Sequence, residues 1–209
     1  MSNKSERTHH HTWVQTHNPT SSALKLQPVQ QQEPLFYYFA YGSCMCPVDL
    51  KRSLGEKTHA YVIGTGTLKG YKLGFYRYSP TRNCGVLDVV KDSKTSVNGV
   101  LYQLPWRLSE LLDKREDVPQ GGYRHEYVDI HCRGQVYKNV RTYVVVNKLS
   151  QEVAPNDWYF NVVLRGAVTC GLPEEYCWSL FNHMHQLQQI KQEDYLLQLA
   201  KSSSPTVNS

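Results

Sequence analysis

Two separated stretches of this chain concentrate the residues best suited to chemistry. The first, Phe36-Tyr37-Tyr38-Phe39-Ala40-Tyr41-Gly42-Ser43-Cys44-Met45, is an aromatic run that stops abruptly at Gly42 and Ser43, the pattern of a buried strand delivering a tight loop at its end. Glycine lets a ligand approach the backbone closely, and successive N–H groups facing one point make a concavity suited to an anion such as a carboxylate. The second stretch, Leu112-Asp113-Lys114-Arg115-Glu116-Asp117-Val118-Pro119-Gln120-Gly121-Gly122-Tyr123, sets three carboxylates ahead of a Gly-Gly loop. Taken singly, each has a plainer meaning: a core strand entering a turn, and a solvated charge run.

Together the two stretches resemble the gamma-glutamylcyclotransferase family, whose members carry Tyr-Gly-Ser-Asn at the end of the first strand. Much later those members have a Leu-Asp-x-x-Glu-Gly-Val segment, with a tyrosine seven residues beyond the glutamate. Here Tyr41-Gly42-Ser43 matches the first motif, and Leu112, Asp113, Glu116, Val118 and Tyr123 match the second with the same spacing. Family-like segments also occur at Gly85-Val86-Leu87, Val97-Asn98-Gly99-Val100-Leu101-Tyr102 and Gly171-Leu172-Pro173-Glu174-Glu175-Tyr176, so the resemblance covers residues 36–187. Two departures stand out. Cys44 replaces the usual asparagine and cannot supply its amide donor or carbonyl acceptor; Asp117 replaces the usual glycine and adds a negative charge beside Glu116.

The activity implied by the resemblance converts a γ-glutamyl amine or amino acid into 5-oxoproline and a free amine, a transferase- or lyase-type cyclisation. The substrate's own α-amino group attacks its γ-carbonyl, so the reaction needs no cofactor, metal or enzyme nucleophile, and proximity within one molecule lowers the barrier. Glu116 is the expected catalytic residue, taking a proton from the α-ammonium and returning it to the departing amine. The backbone N–H groups of Gly42, Ser43 and Cys44 are expected to hold either the α-carboxylate or the developing oxyanion. Tyr41 and Tyr123 are expected to line the pocket, each with a hydroxyl and an apolar face. The rival function is a non-catalytic small-ligand or partner-binding module on the same fold, with Cys44 marking lost activity. A third is a thiol redox protein, in which convergent N–H groups lower the pKa of Cys44.

Other signals are weaker. Ser43 lacks the Gly-x-Ser-x-Gly setting of a nucleophilic serine. Gly64-Thr65-Gly66 lacks the third glycine, lysine and following helix of a phosphate loop, and reads as strand or bulge glycines. Cys44-Met45-Cys46 and the pair Cys170 and Cys177 do not have zinc-site spacing, and the cysteines other than Cys44 read as small buried residues. His9-His10-His11 falls in a stretch too polar to fix a coordination geometry.

The elements that must position these residues follow from the periodicity. Strands are expected at 36–41, 61–68, 71–78, 86–90, 97–104, 123–132 and 136–146, with tight turns at Lys69-Gly70 and across 91–96. Helices are expected over 48–54 opened by Pro47, from Pro105 with Leu108, Leu111 and Leu112 on its packed face, over 157–167 capped by Asn156, and from Pro173 onward with Tyr176, Leu180, Met184 and Leu187 on one stripe. The result is an α+β fold with a strongly curved, mostly antiparallel sheet; the resemblance implies a mixed, six-stranded, barrel-like sheet with flanking α-helices. The domain is expected over 35–200, between a disordered arm (1–34, with Trp13 its one aromatic residue besides histidine) and a disordered tail (201–209).

Composition sets the outer bounds. A net charge of +5 spread over 209 residues argues against nucleic-acid binding because the lysines and arginines are scattered. Six cysteines without an apolar leader read as reduced thiols, and no apolar run reaches the roughly 18 to 20 residues needed to span a bilayer. A cytoplasmic protein acting on a small molecule, away from membranes, is the expectation.

Overall fold

A computed structural model describes residues 33–202. Among them are five strands, β1 (Leu35–Ala40), β2 (Val62–Ser79), β3 (Cys84–Pro105), β4 (Tyr123–Cys132) and β5 (Gln135–Val145), and four helices, α1 (Pro47–Leu54), α2 (Ser109–Arg115), α3 (Asp157–Thr169) and α4 (Glu174–Ser202). The strands close into a barrel in the order β1-β3-β2-β4-β5. All pairings are antiparallel except β5 with β1, which are parallel and meet at Tyr38 and Arg141. The mixed, barrel-like sheet with flanking helices is therefore present, with five strands where the resemblance implied six.

The difference lies in β2 and β3. Lys69-Gly70 and residues 91–96 do not turn the chain back; each strand runs through its polar interruption, and the two pair along their length after reversing at residues 80–83. The interruptions face one another. Lys69 pairs with Ser96 and Tyr71 with Lys91, so the extra residues of β3 bulge out opposite Gly70, whose φ is 77°. Thr95 ties the bulge back by donating from Oγ1 to the Tyr71 carbonyl at 2.9 Å. Polar residues on both strands thus share one bulge, which bends the ladder instead of ending it.

β1 is apolar because both of its faces are covered: the consecutive residues Tyr38, Phe39 and Ala40 are all buried. Its end is thereby held rigidly where Gly42 begins. Pro105 ends β3 instead of opening a helix, and a 3₁₀ turn (Trp106–Leu108) leads into α2. Leu108 and Leu112 pack inward while Leu111 faces solvent, a consequence of the tighter turn shifting the helical phase.

At α3, Asn156 does two things. Its Oδ1 accepts from the Tyr159 N–H at 2.9 Å, capping the helix, and its Nδ2 donates to the Arg82 carbonyl at 2.8 Å. The start of α3 is thus fixed to the β2–β3 turn. α4 buries Cys177, Leu180 and Met184 on one stripe, with Tyr176 and Leu187 partly covered, and stays helical to Ser202, into the segment expected to be tail. Most of the expected arm, including His9-His10-His11 and Trp13, and the tail beyond Ser202 lie outside the described residues. No described helix is long and apolar enough to cross a membrane.

Candidate active site

The tight loop after β1 and the C-terminal end of α2 meet at one chamber of about 30 Å³, lined by Tyr41, Gly42, Ser43, Cys44, Glu116 and Tyr123 among others. All six residues expected from the two distant sequence stretches come together there. The chamber adjoins an outer cleft of about 440 Å³ that shares Ser43, Glu116, Tyr123 and Tyr159 with it and adds a set of cationic side chains. A space of 30 Å³ takes a group of a few atoms, such as one carboxylate, so anything larger must extend into the cleft.

Glu116 caps α2: its N–H donates to the Leu112 carbonyl at 3.0 Å, and the next residues tighten into a turn. Its Oε1 accepts from the Cys44 thiol at 3.1 Å, leaving Oε2 free of protein partners among the described residues. Arg115 Nη2 donates to Ser43 Oγ at 3.1 Å, and Arg115 Nε is buried without a partner. Loop and helix are therefore joined by two adjacent side-chain contacts, thiol to carboxylate and guanidinium to hydroxyl. In the loop itself Met45 N–H turns back to the Gly42 carbonyl at 3.0 Å, while no protein group among the described residues accepts from the N–H groups of Gly42, Ser43 or Cys44. Successive unpartnered amides at a cavity wall suit an anion.

Tyr41 and Tyr123 line the chamber, but their hydroxyls are committed to backbone carbonyls: Tyr41 donates to Tyr143 at 2.5 Å and Tyr123 to Leu87 at 2.6 Å. Burial pushes both phenols well above their ordinary pKa. They are wall and strut, with no proton to exchange near neutral pH. Leu87 is the hub, since its N–H also donates to the Tyr159 hydroxyl at 3.2 Å. Sequence reasoning missed Tyr159, Leu87, Tyr143 and Arg115. Leu87 acts through its backbone and carries no side-chain signal, whereas Arg115 stands beside Glu116 and was legible as part of the charge run.

The two departures from the family pattern have physical explanations. Asp117 has φ 57°, a left-handed conformation for which glycine is the usual residue and aspartate an accepted substitute. Its carboxylate, partly exposed, is ion-paired with Arg77 instead of standing as a loose charge beside Glu116. Cys44 is buried, and the expectation of an activated thiol is corrected. Its pKa is pushed up to about 11, first by burial and then by the Glu116 carboxylate, with Arg115 opposing too weakly to reverse it. Since folding raises the value from 9.0 to about 11, the protonated thiol favours the folded state below about pH 9, and that contribution is lost as pH rises through 11. Iodoacetamide is accordingly expected to leave Cys44 unmodified in the native protein at pH 7.5 and to label it after unfolding, which peptide mapping reads directly; stoichiometric native labelling at that pH would contradict a protonated thiol. All six cysteines are free, and five are buried.

The closed, mixed five-stranded barrel with flanking helices is a gamma-glutamylcyclotransferase-like fold. The comparisons with known proteins agree: the AIG2-like family model matches residues 96–180, and in sequence and fold the chain is similar to gamma-glutamylcyclotransferase-like proteins. It is 33% identical over 162 residues to Bacillus subtilis YkqA, a "Putative gamma-glutamylcyclotransferase", covering 77% of this chain and 56% of that one. The crystal structure of YkqA superposes with a TM-score of 0.67 at 32% identity, over 73% of this chain and 55% of the other. This chain thus spans little more than half the length of YkqA. The Mus musculus protein named gamma-glutamylcyclotransferase is 26% identical over 70% of this chain and 77% of its own. A solved gamma-glutamyl cyclotransferase structure matches with a TM-score of 0.64 at 25% identity, over 70% and 86% of the two chains.

Proposed function

We propose that the chain is a gamma-glutamylcyclotransferase-like enzyme that converts a γ-glutamyl amine or amino acid into 5-oxoproline and the free amine. The observation that carries this reading is the placement of Glu116 and the unpartnered amides of Gly42, Ser43 and Cys44 around one chamber. The substrate's α-carboxylate is the group whose size and charge suit the chamber, against the loop amides and the spare Arg115 donor. The α-ammonium, one carbon away, then lies beside Glu116. With Oε1 held by the Cys44 thiol, Oε2 takes a proton from the α-ammonium. The freed amine attacks the γ-carbonyl, closing a five-membered lactam. The γ-carbon–nitrogen bond to the leaving amine breaks, and Glu116 passes to that nitrogen both the first proton and the second one lost by the ring nitrogen as the lactam forms, so the amine leaves as an ammonium and no water is consumed.

Cys44 orients the Glu116 carboxylate with its one donor. A loop serine as nucleophile is disfavoured because Ser43 Oγ already accepts from Arg115. The test is mass-spectrometric detection of 5-oxoproline across a panel of γ-glutamyl dipeptides and γ-glutamylamines. Product equimolar with released amine, above the uncatalysed rate, is expected. Binding of γ-glutamyl compounds without product would instead identify a ligand-binding module on this fold.

A further inference from the structure

The outer cleft is charged in one sense. It gathers Arg77, Arg82, Lys114 and Arg115 against only Glu116 and Asp117. The pairings subdivide this set. Asp117 is spent on Arg77, and Arg115 is turned to the chamber by its bond to Ser43. Among the described residues, Arg82 and Lys114 have no carboxylate partner.

Two tyrosines show how the chamber and cleft are related. The Tyr159 hydroxyl faces the chamber, where it accepts from Leu87 N–H, while its ring lies 5.9 Å beneath the Arg82 guanidinium. Tyr123 does the same on the other side: its hydroxyl reaches Leu87 and its ring lies 5.1 Å beneath Arg77. Each phenol therefore spans the neck from the chamber to the cationic rim. The Arg82 backbone is fixed by the Asn156 bond to its carbonyl, and its guanidinium stands one aromatic ring outside the chamber, in the cleft into which a leaving amine would extend on the cyclotransferase reading. Lys114, from α2, also lines the cleft.

From this geometry we infer that the leaving amine carries two carboxylates: the preferred substrates are γ-glutamyl derivatives of an acidic amino acid, with Arg82 and Lys114 as the specificity-determining cations. The inference rests on the cyclotransferase reading for the direction in which the substrate lies. A γ-glutamyl group presents one carboxylate to the loop amides, and the two cations beyond the neck remain for the other half of the molecule. A neutral or cationic amine would leave both cations at the cleft mouth without a carboxylate; an acidic amino acid engages them through its α- and side-chain carboxylates.

γ-Glutamyl-glutamate and γ-glutamyl-glutamine are nearly the same shape and differ by one charge, which makes them the natural probes. Each is measured twice: as kcat/KM for 5-oxoproline formation by the unmodified protein, and as calorimetric affinity for the Glu116→Gln protein, in which turnover does not deplete the ligand. The expected result is a preference for the glutamate compound of about tenfold, the effect of one well-placed charged contact. It should shrink toward equality in Arg82→Gln/Lys114→Met and on raising the salt concentration. Equal affinity for the two compounds in the Arg82- and Lys114-containing protein, or a preference that survives the double substitution, overturns the inference whatever the turnover. A tenfold, salt-sensitive binding preference without any 5-oxoproline would sustain it while overturning the cyclotransferase chemistry, so the two failures are separable.

Discussion

Glu116→Gln is expected to lower the rate of 5-oxoproline formation by about 10²- to 10⁴-fold, the range over which a single general acid–base group acts. Glutamine keeps the side-chain length and can still meet the Cys44 thiol through its carbonyl oxygen, so the loop and the end of α2 should stay joined. What is lost is the ability to accept and return a proton. The expected signature is a fall in kcat at unchanged fold, with γ-glutamyl compounds still bound through the loop amides. Steady-state kinetics together with calorimetric binding read both quantities. A variant that keeps more than about a tenth of the activity would remove Glu116 from the proton-transfer role.

Gly85→Ala is expected to produce the largest loss of stability among single methyl additions near the site. A Cβ at position 85 would meet the Val153 carbonyl oxygen at 1.7 Å and its carbon at 2.5 Å. These are backbone atoms, held in place because Val153 N–H donates to the Phe75 carbonyl and Gly85 N–H donates to the Ala154 carbonyl, both at 2.9 Å. Neither side can yield without breaking these backbone hydrogen bonds or the pairing of Gly85 with Tyr78. The cost should be about 3 kcal/mol, corresponding to a fall in Tm of roughly 6 to 12 °C for a domain of this size. Leu87, two residues on, holds the Tyr123 and Tyr159 hydroxyls, so activity should fall alongside stability. Thermal unfolding by circular dichroism measures the first; a Tm within a degree of the unmodified protein would show that residues 153–154 can move aside.

The site was legible in the sequence to the extent that its residues act through local identity. Tyr41, Gly42 and Ser43 follow an aromatic run that could only be buried, and Glu116 ends a short amphipathic helix, so both were marked by pattern as well as by motif. The conformation of Asp117 was not legible, because a positive φ shows in a sequence only where glycine or asparagine occupies the position. The reach of Arg115 to Ser43 and the role of Leu87 depend on contacts across 72 and 36 positions, which periodicity cannot report. The chemistry of Cys44 was read from the amides near it, while burial and the adjacent carboxylate decide it. In the fold, the alternation within β4 was plain, since Val128, Ile130 and Cys132 pack on the core, whereas β5 is buried without alternation from Val140 to Val145 and was read as the pairing partner of β4. The continuity of β2 and β3 was not, since the polar residues of a bulge and those of a tight turn are the same types. Only the partner strand distinguishes them.

The central claim is an intramolecular cyclisation driven by a single carboxylate, without attack by water. It is tested most directly by incubating the protein with a γ-glutamyl dipeptide in ¹⁸O-enriched water and analysing the products by mass spectrometry. The account predicts 5-oxoproline free of ¹⁸O, released amino acid in equal amount, and loss of both with Glu116→Gln. Free glutamate carrying ¹⁸O in its γ-carboxylate would reveal hydrolysis and contradict it.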